Sequence, residues 1–188
     1  MIASLFVTVI AAGIAFAFLY ALWLLTPVFY GLAWLPTEHR RIRKALELAR
    51  LRRGETLYDL GAGDGRILII AAREFGAQAV GIEISPLHCF VAWLSARFNQ
   101  LNITIRREDF FKADLRDADV VFAYMTSKQA KPLRLRLESQ LRPGARVVTV
   151  SFDFDGWQPT AVDRENLIFL YQMPATPGSL DSFLAQKL

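Results

Sequence analysis

The sequence has few of the side chains on which metal binding and thiol chemistry depend. It contains one cysteine, Cys89, and two histidines, His39 and His88, among 188 residues. A single cysteine excludes an internal disulfide bond, and we predict that Cys89 is a small core residue and not a nucleophile. We expect His88 to lie on the surface. The sequence predicts no metal site.

Charged side chains are absent from the first 37 residues. From Ile2 to Leu25 the chain is almost continuously apolar, and about twenty such residues are enough to cross a bilayer. A cleaved signal peptide would have a basic start and a small-residue cleavage site, and this segment has neither. We therefore predict a transmembrane anchor over residues 1–26 and a juxtamembrane linker over residues 27–37.

Basic side chains follow the apolar stretch, whereas only the amino terminus precedes it. They are Arg40, Arg41, Arg43, Lys44, Arg50, Arg52 and Arg53. Because cytoplasmic flanks of membrane spans are rich in Lys and Arg, we predict a single-pass membrane protein with a cytoplasmic catalytic domain. We also expect the basic segment to contact the lipid bilayer. No aromatic residues interrupt this basic run, which disfavours nucleic acid as a partner.

Beyond the linker, short apolar strands alternate with helical segments, which is typical of an α/β domain. We assign residues 38–173 to this domain and residues 174–188 to a C-terminal tail. Thr37 has the residue type of an N-cap, and a helix is predicted over residues 38–51.

A second helix is predicted to begin after Ser85, because Ser85 suits the N-cap and Pro86 suits the first helical position. It runs to about residue 99. The side chains in it that we expect to be buried are those of Cys89, Phe90, Trp93 and Leu94.

The stretch 56–67 predicts a buried strand, a glycine-rich turn and the start of a helix, which is the nucleotide-binding element of doubly wound α/β folds. Gly61 and Gly63 let the backbone approach a ligand closely. Arg66 stands where a dinucleotide fingerprint has its third glycine, so the spacing disfavours a dinucleotide. Asp59 at the strand end suits a cationic amino group, as in S-adenosylmethionine.

Two more acidic residues follow at the ends of the next two predicted strands. Glu83 lies where related folds bind the ribose hydroxyls. Asp109 can accept a hydrogen bond from an adenine amino group, and Phe110 can stack on the ring. Three such features in this order predict a nucleoside-binding pocket.

These residues resemble the class I S-adenosylmethionine-dependent methyltransferases. A closer resemblance is to the small protein-lysine methyltransferases of archaea and their membrane-anchored relatives, which act on the ATP synthase c-subunit and the adenine nucleotide translocator. The segments that carry it are Leu35-Pro36-Thr37, 58–66, 109–111 with 118–121, and 142–148.

The resemblance implies a Rossmann-like, seven-stranded methyltransferase fold, here preceded by one N-terminal transmembrane helix. It also implies that Pro36 and Thr37 cover the cofactor. The cofactor-binding residues that we predict are Pro36, Thr37, Asp59, Gly61, Ala62, Gly63, Glu83, Ile84, Asp109 and Phe110. Ala62 replaces a cysteine that is common in the family, and the poorly matching segment 125–131 leaves the substrate open.

Two residues are candidates for the acceptor side of the site. Tyr124 ends a buried strand and is either a wall of a lysine channel or a strand-end core residue. Asp153 follows the next strand and either orients an incoming ammonium group or is a simple turn carboxylate. Both lie where ligands bind in parallel sheets, beyond the carboxyl ends of the strands.

The function that we predict is methylation of a lysine amine on a membrane-associated protein. One alternative is methylation of a lipid or hydrophobic small molecule by the same cofactor site. Another is a non-catalytic, membrane-anchored interaction module with a vestigial nucleoside pocket.

Overall fold

A computed structural model describes residues 2–24 and 37–185 of the chain. It divides into two compact units, residues 1–35 and residues 36–188. The described part of the first unit is helix α1 (Ile2–Leu24). Nowhere in residues 2–24 and 37–185 is there a helix with the length and apolar character needed to cross a membrane. The structure therefore does not support the transmembrane anchor predicted for residues 1–26.

The second unit alternates helices and strands. Its helices are α2 (His39–Leu48), α3 (Arg66–Glu74), α4 (Pro86–Phe98), α5 (Ser127–Gln140) and α6 (Leu180–Ala185). Its strands are β1 (Thr56–Leu60), β2 (Gln78–Glu83), β3 (Ile103–Arg107), β4 (Val120–Tyr124), β5 (Arg146–Val150), β6 (Trp157–Gln158), β7 (Ala161–Asp163), β8 (Ile168–Gln172) and β9 (Thr176–Pro177).

Seven of these strands form one mixed sheet in the order β3-β2-β1-β4-β5-β8-β7. The first five in this order are parallel, and β8 is antiparallel to both β5 and β7. This arrangement confirms the predicted seven-stranded α/β fold. The strand order reverses between β1 and β4, and ligands bind beyond the carboxyl ends of the strands at such a point.

Helix α2 begins one residue later than predicted and ends sooner. Its N-cap residue is Glu38, which makes no side-chain capping hydrogen bond, so the prediction that Thr37 caps this helix is wrong. The helix ends at Leu48, and Arg50 takes a positive φ of 50° just beyond it. The apolar face of α2 is buried against α3 and β5 through Ile42, Ala45 and Leu46.

Helix α4 begins as predicted but buries different side chains. The Ser85 hydroxyl accepts a hydrogen bond from the His88 backbone N–H at 3.4 Å, and Pro86 occupies the first turn. The buried residues of the helix are Ala92 and Ala96. A Cβ atom added at Gly65 would lie 3.0 Å from the Ala92 Cβ, so the turn before α3 approaches α4 very closely. Only small side chains fit at that approach, which explains why alanines form the inner face.

The prediction that the large apolar side chains of α4 are buried is therefore wrong. Phe90 is 57% exposed and Trp93 is 53% exposed, while Cys89 and Leu94 are half-buried.

Candidate functional site

The turn after β1 is built by backbone hydrogen bonds that leave its outer face open. The N–H groups of Gly61 and Ala62 both donate to the carbonyl of Ile82 on β2, at 2.8 Å and 3.0 Å. Gly61 and Gly63 have φ values of 89° and 54°, a region that L side chains rarely adopt. A Cβ atom at Gly61 would meet nothing within 4 Å. The turn thus offers bare backbone to a ligand.

Asp59 places a carboxylate directly beneath this turn. The residue is 1% exposed, and its Oδ2 atom has no hydrogen-bond partner among the described residues. Burial raises the pKa of this carboxyl group well above its ordinary value, and the carboxylates of Glu83 and Asp64 raise it further. A buried acceptor without a partner costs about 1–3 kcal/mol. A bound ammonium group would remove that cost, so Asp59 suits the amino acid part of the predicted cofactor.

Glu83 ends β2 and is held by the backbone on two sides. Its Oε2 accepts from the Gly63 N–H at 2.9 Å, and its Oε1 accepts from the Ser85 N–H at 2.7 Å. Each carboxylate oxygen has a second lone pair, so the group can still accept from ribose hydroxyls. Ile84 follows and is half-buried. The same carboxylate therefore shapes the glycine turn and faces the ligand edge.

Asp109 and Phe110 lie beyond β3, the next strand along the sheet. The Glu108 N–H donates to the Glu83 carbonyl at 3.2 Å, which brings this segment beside β2. The Asp109 Oδ1 accepts from the Phe111 N–H at 2.9 Å. Phe110 is buried, with its ring centroid 4.4 Å from that of Phe111. The structure brings both residues to the predicted edge, and their contacts with adenine stay a prediction.

Arg66 makes a contact that the sequence did not reveal. Its guanidinium binds both oxygens of Asp64, at 2.6 Å for the shortest bond, and its Nη1 also donates to the Thr37 carbonyl at 3.2 Å. The predicted covering residue Thr37 is buried and tied to the glycine turn by this arginine. Pro36 lies outside the described residues. The signal available in the sequence was the arginine at the third-glycine position, two residues after an aspartate.

The acceptor side is more open. Tyr124 is half-buried at the end of β4, opposite Val150 of β5 in the strand register. Asp153 is exposed three residues after that valine. The structure places both at the same edge of the sheet, and their catalytic roles stay predictions. Trp157, close behind, is buried and donates its indole N–H to Glu138 at 2.7 Å.

The residues present fit S-adenosylmethionine. The unpartnered Asp59 carboxylate would hold the ammonium group, Glu83 would hold the ribose, and the open turn at Gly61 leaves space for the ligand between them. In the part of the chain that the structure describes, no group of three or more His, Cys, Asp or Glu side chains could hold a metal ion.

Known proteins share this arrangement. Residues 59–161 match the family described as the ANTKMT methyltransferase domain. A protein-lysine N-methyltransferase of Saccharolobus islandicus is 36% identical over 73% of this chain and 91% of its own length. The mouse adenine nucleotide translocase lysine N-methyltransferase is 33% identical over 82% of this chain and 71% of its own length.

A solved structure is also similar. The RNA methyltransferase from Salinibacter ruber, in complex with S-adenosyl-L-homocysteine, is 37% identical with a TM-score of 0.72, over 78% of this chain and 96% of that one. The chain described here therefore belongs to the family of the ANTKMT methyltransferase domain and is an S-adenosylmethionine-dependent methyltransferase.

Proposed function

We propose that this enzyme methylates the side-chain amine of a lysine in a protein. The observation that carries methyl transfer is the buried Asp59 Oδ2 atom without a hydrogen-bond partner, because it suits the ammonium group of the cofactor. The protein-lysine specificity is supported by the two relatives named as lysine N-methyltransferases.

We assign the binding of the acceptor lysine to Tyr124 and Asp153. The cofactor supplies an electrophilic methyl group. The acceptor lysine would have to lose a proton to solvent before its nitrogen could take this methyl group, because only the neutral amine has a free lone pair. A lysine with an ordinary pKa of about 10.4 arrives charged, so the Asp153 carboxylate at the rim would attract it. The half-buried Tyr124 would then exclude water, which lowers the lysine pKa and exposes the lone pair.

The substrate that we propose is a membrane protein, and helix α1 would attach the enzyme to the same bilayer. Support comes from the absence of charge in the first 37 residues and from the exposed apolar side chains of α1, which include Phe6, Ile14 and Phe16. The basic residues after residue 38 favour a cytoplasmic catalytic domain. The name of the mouse relative also points to a membrane-protein substrate.

The test is transfer of labelled methyl groups from the cofactor to isolated membranes, with the full-length chain and with Asp59→Ala. We expect label on a protein lysine, identified by mass spectrometry, and none with the variant. Label that is extracted with lipid would favour the lipid methyltransferase, and label in RNA would favour the activity named for the Salinibacter ruber protein. Either result would contradict the proposal.

Attachment by α1 is tested separately. Alkaline carbonate releases peripheral proteins from membranes, and we expect the full-length chain to stay with the membrane fraction. Complete release would contradict the attachment while leaving the lysine specificity open to the first test.

A further inference from the structure

Helix α4 is apolar on its outer face as well as on its inner one. Phe90 and Trp93 stack with ring centroids 6.1 Å apart, and both are more than half exposed. Phe98, the last residue of the helix, is 79% exposed. Exposed aromatic side chains that cluster on one face indicate an interaction site. We define the outer face of α4 by Phe90, Trp93, Arg97 and Phe98. Its exposed aromatic side chains indicate that it is a contact surface.

The charged side chains of the segment that contains this face have one sign. Between Ile84 and Arg107 the sequence contains no aspartate or glutamate, whereas it contains Arg97, Arg106 and Arg107. Arg97 and Arg107 are exposed. Arg106 alternates with Arg107 along β3 and lies over the ring of Tyr58, 5.6 Å from its centroid, so it does not contribute to this face. Aromatic side chains beside exposed arginines are typical of segments that lie in the interface of an anionic membrane.

The size of the face favours lipid over a protein partner. The nine residues of helix from Phe90 to Phe98 are about 14 Å long, and a strip about 10 Å wide gives on the order of 140 Å². A stable protein interface needs about 800 Å² per partner. A membrane contact can be this small when another part of the same chain is already attached, because tethering raises the effective concentration of the second site.

We propose that the outer face of α4 docks on the surface of a bilayer that contains anionic lipids. The proposal rests on the proposed attachment of α1. Since α4 begins at Pro86, three residues after the cofactor-site residue Glu83, docking would orient the ligand edge of the sheet relative to the lipid surface. The partner is the headgroup region of the bilayer. The arginines would bind lipid phosphates, and the aromatic rings would lie among the upper parts of the acyl chains.

The test places an environment-sensitive fluorophore on the face of the full-length chain. In a Cys89→Ser background, Trp93→Cys carries the label, and Leu135→Cys on α5 is the matched control because Leu135 is also apolar, helical and 54% exposed. The labelled chains are mixed with vesicles of phosphatidylcholine, with or without phosphatidylglycerol. We expect a blue shift at position 93 that grows with phosphatidylglycerol, and none at position 135.

Each other outcome overturns the proposal in a distinguishable way. If both labelled chains sediment with vesicles but position 93 shows no shift, docking of α4 is overturned and attachment by α1 is not. If neither chain sediments, both are overturned. A shift at position 93 that is already present in buffer without vesicles or detergent points to another part of the same chain. A shift that rises with protein concentration points to a second copy, and equal shifts at both positions show non-specific adsorption.

A second measurement links the face to activity. Phe90→Ser with Trp93→Ser should leave the affinity for S-adenosylhomocysteine unchanged, because neither side chain is part of the cofactor site. Methylation of membranes should fall several-fold. Unchanged methylation of membranes, with the affinity intact, would contradict a role of docking in catalysis.

Discussion

The two halves of the ligand edge are built differently. At the ends of β1 and β2, Asp59 and Glu83 are buried, and Glu83 is fixed by two backbone N–H groups. At the ends of β4 and β5, Tyr124 is half-buried and Asp153 is exposed. The first half is rigid and prepared before the ligand arrives, whereas the second has side chains that a substrate can still move.

This difference fits the ligands that we propose for the two halves. A cofactor is the same small molecule in every turnover, so its site can be fixed by backbone and buried charge. A protein substrate brings its own surface, and its binding groups have to be accessible. Five predictions test the comparison, in order of decreasing effect on cofactor affinity.

The largest effect is expected for Asp59→Asn. Loss of the buried carboxylate should weaken S-adenosylhomocysteine binding by about 100-fold or more, since removing one partner of a buried ion pair costs about 3–5 kcal/mol. The cofactor-free variant should be at least as stable to heat, because the desolvated charge is gone. Calorimetry and thermal unfolding give the two quantities.

The control for this variant is Asp119→Asn, at the opposite edge of the sheet. The Asp119 Oδ2 accepts from the Thr56 N–H at 2.9 Å. This change should lower thermal stability and leave cofactor affinity alone. Weaker cofactor binding by Asp119→Asn, with unchanged binding by Asp59→Asn, would show that Asp59 is not part of the cofactor site.

The pH dependence of binding is the next test. Burial and the nearby carboxylates raise the pKa of Asp59 in the cofactor-free protein, and only the ionised form pairs with an ammonium group. Affinity should therefore fall as pH falls through this raised pKa, by up to tenfold per unit.

Stability should change in the opposite direction. The folded state binds this proton more tightly than the unfolded state, so the Asp59 contribution to stability decreases as pH rises from about 3.9 to the raised pKa. It is constant above that range. In Asp59→Asn both dependences should vanish, and their persistence would assign them to another group.

Glu83→Gln should have an intermediate effect. The glutamine amide has one acceptor oxygen, so the Gly63 and Ser85 N–H groups can no longer both be satisfied, at a cost of about 1–3 kcal/mol in stability. Cofactor affinity should fall by about tenfold through the weaker ribose contact and the loosened turn. Calorimetry measures the affinity, and the conservative Glu83→Asp should not restore it because its side chain is shorter.

Arg66→Gln has a matched control within the chain. Arg116 binds Asp114 two residues before it just as Arg66 binds Asp64, but the Arg116 pair is exposed and far along the chain from Thr37. Arg66→Gln should weaken cofactor binding by about threefold to tenfold, the effect of losing one charge-assisted hydrogen bond of about 1 kcal/mol net. Arg116→Gln should change nothing. Equal effects would show that only the local ion pair matters.

The smallest effect on cofactor affinity is expected on the acceptor side. Tyr124→Ala and Asp153→Asn should leave S-adenosylhomocysteine binding unchanged and lower kcat/KM for methyl transfer. Asp153→Asn should raise KM for the protein substrate with little change in kcat, because it removes long-range attraction. A loss of cofactor affinity in either variant would show that the acceptor side also binds the cofactor, which contradicts the division into two halves.

The local elements of the cofactor half were predictable because their signals are short-range. The strand, glycine turn and helix of residues 56–74 and the Ser85 cap follow from residue type and spacing. The error in α4 has a physical cause. The hydrophobic pattern identifies α4 as apolar but does not decide which of its faces packs inward. The inner face consists of Ala92 and Ala96, because the turn at Gly65 approaches Ala92 too closely for a larger side chain.

By itself the sequence determined the order of strands and helices and the uncharged N-terminus. It also determined that one carboxylate lies near the end of each of β1 and β2 and that a third follows β3. These depend on hydrophobic pattern, turn chemistry and charge, which are properties of neighbouring residues. Only the tertiary structure decided that Asp59 has a buried oxygen without a partner, that Arg66 reaches the Thr37 carbonyl across 29 residues, and that Phe90 and Trp93 face outward. Those outcomes depend on which distant backbones approach one another, and packing sets that distance.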